Sequence, residues 1–323
     1  MIWPDRPVAV RVPATSANLG PGFDALGLAL GLHDVVEARI IPDGVAIEVS
    51  GAGQDAAVAG EDHLVIRAMR AAFAVLGGQP PGIGLRCANA IPQGYGLGSS
   101  AGAIVAGLLA ARALSPLSPD GDGLAGVGLL RLATRLEGHP DNVAACLAGG
   151  LTIAWMPASG AVSARLAVVA GLTPVLCVPE IPLDTAQARG LLPPAVPHAD
   201  AVANSARAAL LIAALTSDPA LLMAGTEDYL HQCYRAPAMP ATADLVGRLR
   251  AAGIPAVVSG AGPSVLALTV AGVHPGPEAV LPVADGTGTG WQVRVLDVDR
   301  DGATVEPLGD RGGRGTGAVL NQP

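Results

Sequence analysis

An α+β fold follows from three features of this chain. Short runs of strand signal and of helix signal succeed one another without regular β–α–β alternation, which favours segregated sheets and helices over a doubly wound sheet. Of 323 residues, 50% are hydrophobic and only 14% charged, enough for one large domain or two ordinary ones. Aromatic residues make up 2%, so the core must be built from Ala, Val, Leu and Ile.

Residues 8–12 alternate as a strand, and the turn-formers of residues 13–24 should end it. Strands at 26–32 and 34–41 flank a bend at Gly31, and 45–49 alternates as the next strand. Residues 62–76 have helical spacing with Gly77-Gly78 as a stop. Residues 83–90 form a strand that enters Ile91-Pro92-Gln93-Gly94-Tyr95-Gly96-Leu97-Gly98-Ser99-Ser100, followed by an uncharged helix from Ala101. Gly102 and Gly107 each cost that helix about 1 kcal/mol relative to Ala, so another backbone should pack closely there. A helix at 124–137 follows, then one opened by Pro140 and stopped by Gly149-Gly150. Strands at 151–156 and 175–178 come next, then helices at 199–216, 219–230 and 241–252. Residues 257–270 read as strand–turn–strand around Ser259 to Ser264. From Asp299 the chain is rich in Gly, Asp and Arg, and disorder is expected.

The formal charge of −8 argues against nucleic acid or an anionic membrane as partner, so any anion must be bound locally. Cys87, Cys146, Cys177 and Cys233 are far apart with no C-x-x-C, which suits small core hydrophobes in a reduced compartment. The N-terminus shows no apolar leader, and the uncharged run after Ser100 is too short to span a bilayer. A cytoplasmic protein is expected.

Polar residues interrupt apolar sequence at four places: 18–24, the Gly-rich loop, Glu137-Gly138-His139-Pro140-Asp141-Asn142, and Gly260-Ala261-Gly262-Pro263-Ser264. Glycines at every second position let a backbone turn its N–H groups inward at a helix N-terminus, a cradle for a polyanion. The loop lacks the Lys of a Walker A sequence and is not G-x-G-x-x-G. Alone it is equally a plain turn. Together the clusters supply what a small-molecule kinase needs: amides for phosphates, oxygens for Mg²⁺ and a carboxylate at the acceptor hydroxyl.

Residues 13–24, 92–101 and 259–264 resemble the three motifs of the galactokinase–homoserine kinase–mevalonate kinase–phosphomevalonate kinase (GHMP) superfamily, in its order and spacing. With residues 137–142 and His231-Gln232-Cys233-Tyr234-Arg235, the likeness is greatest to its homoserine-kinase branch, over roughly residues 6–295. The resemblance implies a two-domain fold: a ribosomal protein S5 domain 2-like nucleotide-binding domain over 1–165, a ferredoxin-like domain over 166–298, and a tail at 299–323. It implies ATP, Mg²⁺ and the acceptor L-homoserine, in a homodimer.

It also implies roles. Pro92, Gly94, Tyr95, Gly96, Leu97, Gly98, Ser99 and Ser100 would wrap the ATP phosphates, with no side-chain role for Tyr95. Ser100 and Glu137 would hold Mg²⁺, Asp141 would orient the acceptor hydroxyl, and Asn142 would fix that geometry. Asn18 and Asp24 would bind the substrate ammonium; Thr185, Arg189 and Arg235 its carboxylate; His139 and Gly260 would line the site. His231 and Gln232 would only shape their segment, and His63 stands where relatives often carry Asn near the adenine. The rival readings are a relative acting on another small alcohol, such as mevalonate or shikimate, and a non-catalytic binder of ATP or amino acid. Taken singly, the residues also have plainer readings: turn residues at 18 and 24, helix caps at 99 and 100, a solvated Glu137, surface ion pairs at 189 and 235.

Overall fold

The computed structural model describes residues 3–4, 6–56, 58–116, 124–183 and 185–308. The strands are β1 (Val8–Ala17), β2 (Leu26–Ile41), β3 (Gly44–Gly51), β4 (Gly82–Asn89), β5 (Leu151–Trp155), β6 (Val162–Leu166), β7 (Leu172–Pro179), β8 (Ala256–Val258), β9 (Val265–Val270), β10 (Trp291–Val295) and β11 (Thr304–Pro307). The helices are α1 (Leu64–Val75), α2 (Ser99–Leu114), α3 (Val127–Glu137), α4 (Asp141–Ala148), α5 (Thr185–Gly190), α6 (His198–Thr216), α7 (Leu222–Gly225), α8 (Gln232–Arg235), α9 (Pro240–Ala251) and α10 (Val280–Asp285).

Two sheets organise the chain. One has the order β11-β1-β2-β4-β3, with β5 beside β2 and β6 beside β5; the other runs β10-β7-β9-β8. Helices α1 to α4 cover the first sheet over a core that includes Val10, Val36, Ile66, Phe73, Ile83, Ile104 and Leu108. Alternation in β7 and β9 divides the second sheet. Val175, Cys177, Val265 and Ala267 pack on Leu245 and Leu249 of α9, while Leu176, Leu266 and Leu268 join Leu211 and Leu215 of α6 and Leu28 and Leu30 of β2. Strand β2 thus serves two cores, with Val36 and Ala38 facing the helices and Leu28 and Leu30 facing the second sheet.

That sharing explains the first departure from the sequence reading. Strand β1 does not end at Val12 but pairs with β2 through Ala17, with a register shift between Pro13 and Ala14. Pro13 has no N–H to lose, so an irregular step is tolerated there. The bend at Gly31 lies inside one strand, and its N–H goes to Asp297 O at 2.8 Å. The helix expected over 219–230 is only a 3₁₀ turn, Pro219–Leu221, and α7; beyond it the Asp228 carboxylate takes the amides of Leu230, His231 and Gln232.

The tail expected to be disordered from Asp299 is ordered as far as residue 308. Strand β11 pairs antiparallel with β1, and the Asp299 carboxylate accepts from Gly302 N (2.7 Å), Asp301 N (3.1 Å) and His33 Nε2 (2.6 Å). Backbone pairing and one buried carboxylate order a segment whose composition offers little to bury. Residues 309–323 lie outside the described residues. Strands β6 and β10 are additions, though Trp291, Val293 and Val295 alternate in sequence. Gly107 meets the expectation of close approach, since a Cβ there would lie 2.5 Å from Val65 O; Gly102 does not, its nearest neighbour being Val12 Cγ2 at 3.5 Å.

Candidate active site

The loop from β4 into α2 holds Gly94, Gly96 and Gly98 at φ of 80°, 71° and 69°, a left-handed region that L side chains rarely enter. Close packing reinforces the requirement. A Cβ on Gly96 would strike the Ser259 carbonyl and lie 2.8 Å from Gly262 O, and one on Gly98 would strike the Thr15 hydroxyl. Thr15 N donates to Leu97 O at 3.0 Å, and Ser259 Oγ lies 2.7 Å from Gly96 O and 2.9 Å from Ser16 Oγ. Three segments remote in sequence therefore interlock through main chain and serine hydroxyls. Gly98 is the N-cap of α2 and supplies no side-chain cap, so the first amides of the helix open into a cleft. Pro92, Gly94, Gly96, Leu97, Gly98, Ser99 and Ser100 line it. Tyr95, counted with this loop, turns its phenol away, and its hydroxyl donates to Glu180 O at 2.9 Å.

Facing α2, the Ser100 hydroxyl donates to Glu137 Oε2 at 2.7 Å. Burial pushes the Glu137 carboxyl above its ordinary range, partly offset by that bond. Gly138, at φ 99°, ends α3 and turns the chain so that Asp141 opens α4. Asp141 is 2% exposed. Its Oδ1 lies 3.0 Å from His139 Nδ1 and accepts from Asn142 N at 2.7 Å, which leaves Oδ2 without a partner among the described residues. The bond to Asp141 raises the His139 pKa, and burial opposes it. Asn142 Oδ1 accepts from the Thr15 hydroxyl at 2.8 Å, which ties α4 to β1. Among the described residues no group of three or more His, Cys, Asp or Glu could hold a metal ion by itself.

The turn after β1 is strained: Asn18, Leu19 and Asp24 have φ of 68°, 52° and 53°. Asn18 holds it together, since its Nδ2 donates to Gly260 O (2.8 Å) and its Oδ1 accepts from Asp24 N (2.9 Å). Asp24 and Arg189, expected on opposite ends of a ligand, pair with each other at 2.8 and 3.1 Å. Arg235 is 2% exposed, and burial lowers its pKa. Its Nε donates to Ala188 O (3.3 Å), and Nη1 to Gly260 O (3.3 Å) and His231 Nδ1 (3.1 Å); among the described residues Nη2 has no partner. Thr185 begins α5, with its side chain outside the described residues.

Asn18, Asp24, Glu137, His139, Asp141, Asn142, Arg189, Arg235 and Gly260 share one cleft of about 460 Å³ with the glycine loop. Val49, Val58, His63 and Leu64 line it as well. The sequence reading passes over Thr15, Phe23 and Asp228, and does not show that His231 bonds to both Arg235 and Gly20 O. Thr15, Phe23 and His231 belong to quoted motifs, but only the folded contacts show what they touch.

Free amides at the start of α2, the Ser100–Glu137 oxygen pair and buried Asp141 beside a charged pocket are the parts that a small-molecule phosphotransferase needs. Residues 63–150 match the GHMP kinases N terminal domain, and residues 208–276 match GHMP kinases C terminal. Homoserine kinase of Streptomyces coelicolor is 54% identical over 302 residues, 93% of this chain and 95% of that protein. Homoserine kinase of Clavibacter michiganensis is 50% identical over 305 residues, 93% of this chain and 94% of its own length. The crystal structure of homoserine kinase from Cytophaga hutchinsonii superposes with a TM-score of 0.80 at 29% identity, covering 95% of this chain and 99% of that one. The chain belongs to the GHMP kinases, within their homoserine kinase family.

Proposed function

We propose that this chain transfers the γ-phosphoryl group of ATP to the side-chain hydroxyl of L-homoserine, yielding O-phospho-L-homoserine and ADP in threonine biosynthesis. The supporting observation is that Asp141 and Arg235 line the same cleft as the open N-terminus of α2. Amides of residues 94–100 would bind the β- and γ-phosphates. Ser100 Oγ and Glu137 fit a hard cation. Both offer oxygen, they already lie 2.7 Å apart, and burial makes the carboxylate favour a cationic partner. One protein carboxylate plus phosphates is ordinary company for Mg²⁺. Bound there, Mg²⁺ would neutralise charge on the phosphates.

Asp141 would accept a hydrogen bond from the homoserine hydroxyl through Oδ2. As the hydroxyl oxygen bonds to the γ-phosphorus, the bond to the bridging oxygen breaks, ADP departs and the hydroxyl proton passes to Asp141 or water. A loose transition state demands positioning more than a strong base, and a carboxylate shared with His139 suits that role. Asp24 would take the ammonium, and Arg189 and Arg235 the carboxylate, so the zwitterion would replace the ion pair that Asp24 and Arg189 form with each other. Mevalonate has no ammonium for Asp24. No described helix is long and apolar enough to cross a membrane. A cytoplasmic homodimer is the working state we infer, and light scattering on purified protein checks the oligomer.

ADP release with ATP, Mg²⁺ and a panel of homoserine, serine, threonine, shikimate and mevalonate tests the reading. Homoserine should turn over fastest. Turnover of mevalonate with none of homoserine, or nucleotide binding without turnover of any alcohol, contradicts it.

A further inference from the structure

His231 is fully buried and stands between two parts of the acceptor site. Its Nδ1 faces Arg235 Nη1 at 3.1 Å and its Nε2 faces Gly20 O at 2.9 Å. A guanidinium only donates and a carbonyl only accepts. The geometry therefore fixes the tautomer: Nδ1 is the acceptor and Nε2 carries the proton. The ring stacks on Phe23, with centroids 5.2 Å apart and planes at 29°. The same Phe23 ring lies 5.4 Å from the Arg235 guanidinium and 5.8 Å from that of Arg189. Asp228 fixes the start of this unit by accepting from His231 N at 3.0 Å and Gln232 N at 2.6 Å.

We propose that His231 is a positioning residue for homoserine recognition, joining Arg235 to the Asn18–Asp24 turn so that the groups reading the carboxylate and the ammonium keep one separation. The proposal rests on the functional reading above. With Nε and Nη1 of Arg235 held from behind by Ala188, Gly260 and His231, Nη2 is left for the ligand. Removing the imidazole acceptor frees the guanidinium to rotate, and removing the Nε2 donor releases the Gly20 carbonyl in the turn that carries Asp24.

Steady-state kinetics on three full-length variants tests this, alongside the wild type and with melting temperatures recorded. His231→Leu removes both bonds and should raise the homoserine KM about tenfold, leaving the ATP KM and kcat within about twofold. His231→Asn places an oxygen near the Nδ1 position and should recover most of that loss. In an Arg235→Leu background, His231→Leu should add little further, because the two act as one unit. Equal rises in both KM values, a fall in kcat alone, or additive losses in the double variant overturn the proposal. Should His231→Leu fail to fold, an Asn variant with wild-type melting temperature and a KM no better than Arg235→Leu overturns it instead. A wild type that releases no ADP with homoserine overturns the functional reading, and this proposal with it.

Discussion

The two ends of the cleft are built from different materials. The end proposed for the phosphates is main chain: three glycines in left-handed conformation, pressed against the Ser259–Gly262 turn and Thr15, with neutral donors that need no counter-charge. The end proposed for the acceptor is side chains: Asp24, Arg189, Arg235 and Asp141 are each answered inside the protein. Asp24 and Arg189 neutralise one another, Asp141 leans on His139, and Arg235 rests on two carbonyls and an imidazole. A backbone cradle keeps its shape whether or not anything is bound. Charged side chains need partners within the protein, most of all where they are buried as Asp141 and Arg235 are, because an unpaired buried charge costs several kcal/mol. On the proposed assignment, preorganisation would belong to the nucleotide end, and partner exchange to the amino-acid end.

The largest expected effect falls on the one group that would touch the reacting hydroxyl. Asp141→Asn keeps the shape but lowers the charge, and should cut kcat about a hundredfold or more with little change in homoserine KM. An Asn variant with near-normal turnover rejects the assigned role. On the backbone side, Gly96→Ala should lower kcat/KM for ATP by at least about thirtyfold. Left-handed backbone costs a non-glycine residue about 1–2 kcal/mol, and the added Cβ must displace the Ser259–Gly262 turn. If ATP binding survives while homoserine binding fails, the two ends have been assigned the wrong way round.

Arg235→Leu comes next, with a homoserine KM raised at least about tenfold, the loss of a charged hydrogen bond worth about 1.5–3 kcal/mol, and ATP affinity nearly unchanged. Arg189, whose side chain is 45% exposed in its pair with Asp24, should cost less when changed to Met. Equal loss of ATP and homoserine affinity in the Arg235 variant contradicts the division.

Glu137 gives a pH-dependent contrast. Its carboxyl is raised by burial, so the folded state holds its proton more tightly than the unfolded chain does. The sign follows from linkage. The stability associated with the protonated form is fully present below the unfolded value and is lost as pH rises through the higher folded value. Glu137→Gln should therefore raise the melting temperature near pH 8 more than near about pH 4, while abolishing Mg²⁺-dependent turnover. An unchanged difference across that window removes the burial argument. The smallest effect compares two glycines in one helix. Gly102→Ala has room and should stabilise by up to about 1 kcal/mol, whereas Gly107→Ala meets Val65 O and should destabilise; thermal melts of the two decide it.

This contrast of materials also explains what could be read from the sequence. Glycines at 94, 96 and 98 are legible because glycine adopts that backbone at far less cost than other residues, and the pattern survives without the fold. Glu137 and Asp141 are legible through their motif. The satisfaction of charges is not. That Arg189 reaches Asp24, 165 positions away, or that His231 bonds to Gly20, 211 away, depends on the packing of α5 and α8 against a turn in the other half of the chain. Order in residues 299–308 was hidden for a similar reason, since backbone pairing with β1 leaves no mark in composition. Tyr95, given no side-chain role from the sequence, spends its hydroxyl on Glu180 O, a contact that no local pattern reveals.

A crystal structure with a non-hydrolysable ATP analogue, Mg²⁺ and homoserine tests the central division most directly. The triphosphate should lie on the amides of residues 94–100, with the amino-acid hydroxyl against Asp141 and its carboxylate at Arg235. A triphosphate seated on Arg189 and Arg235, away from the glycine loop, contradicts the account.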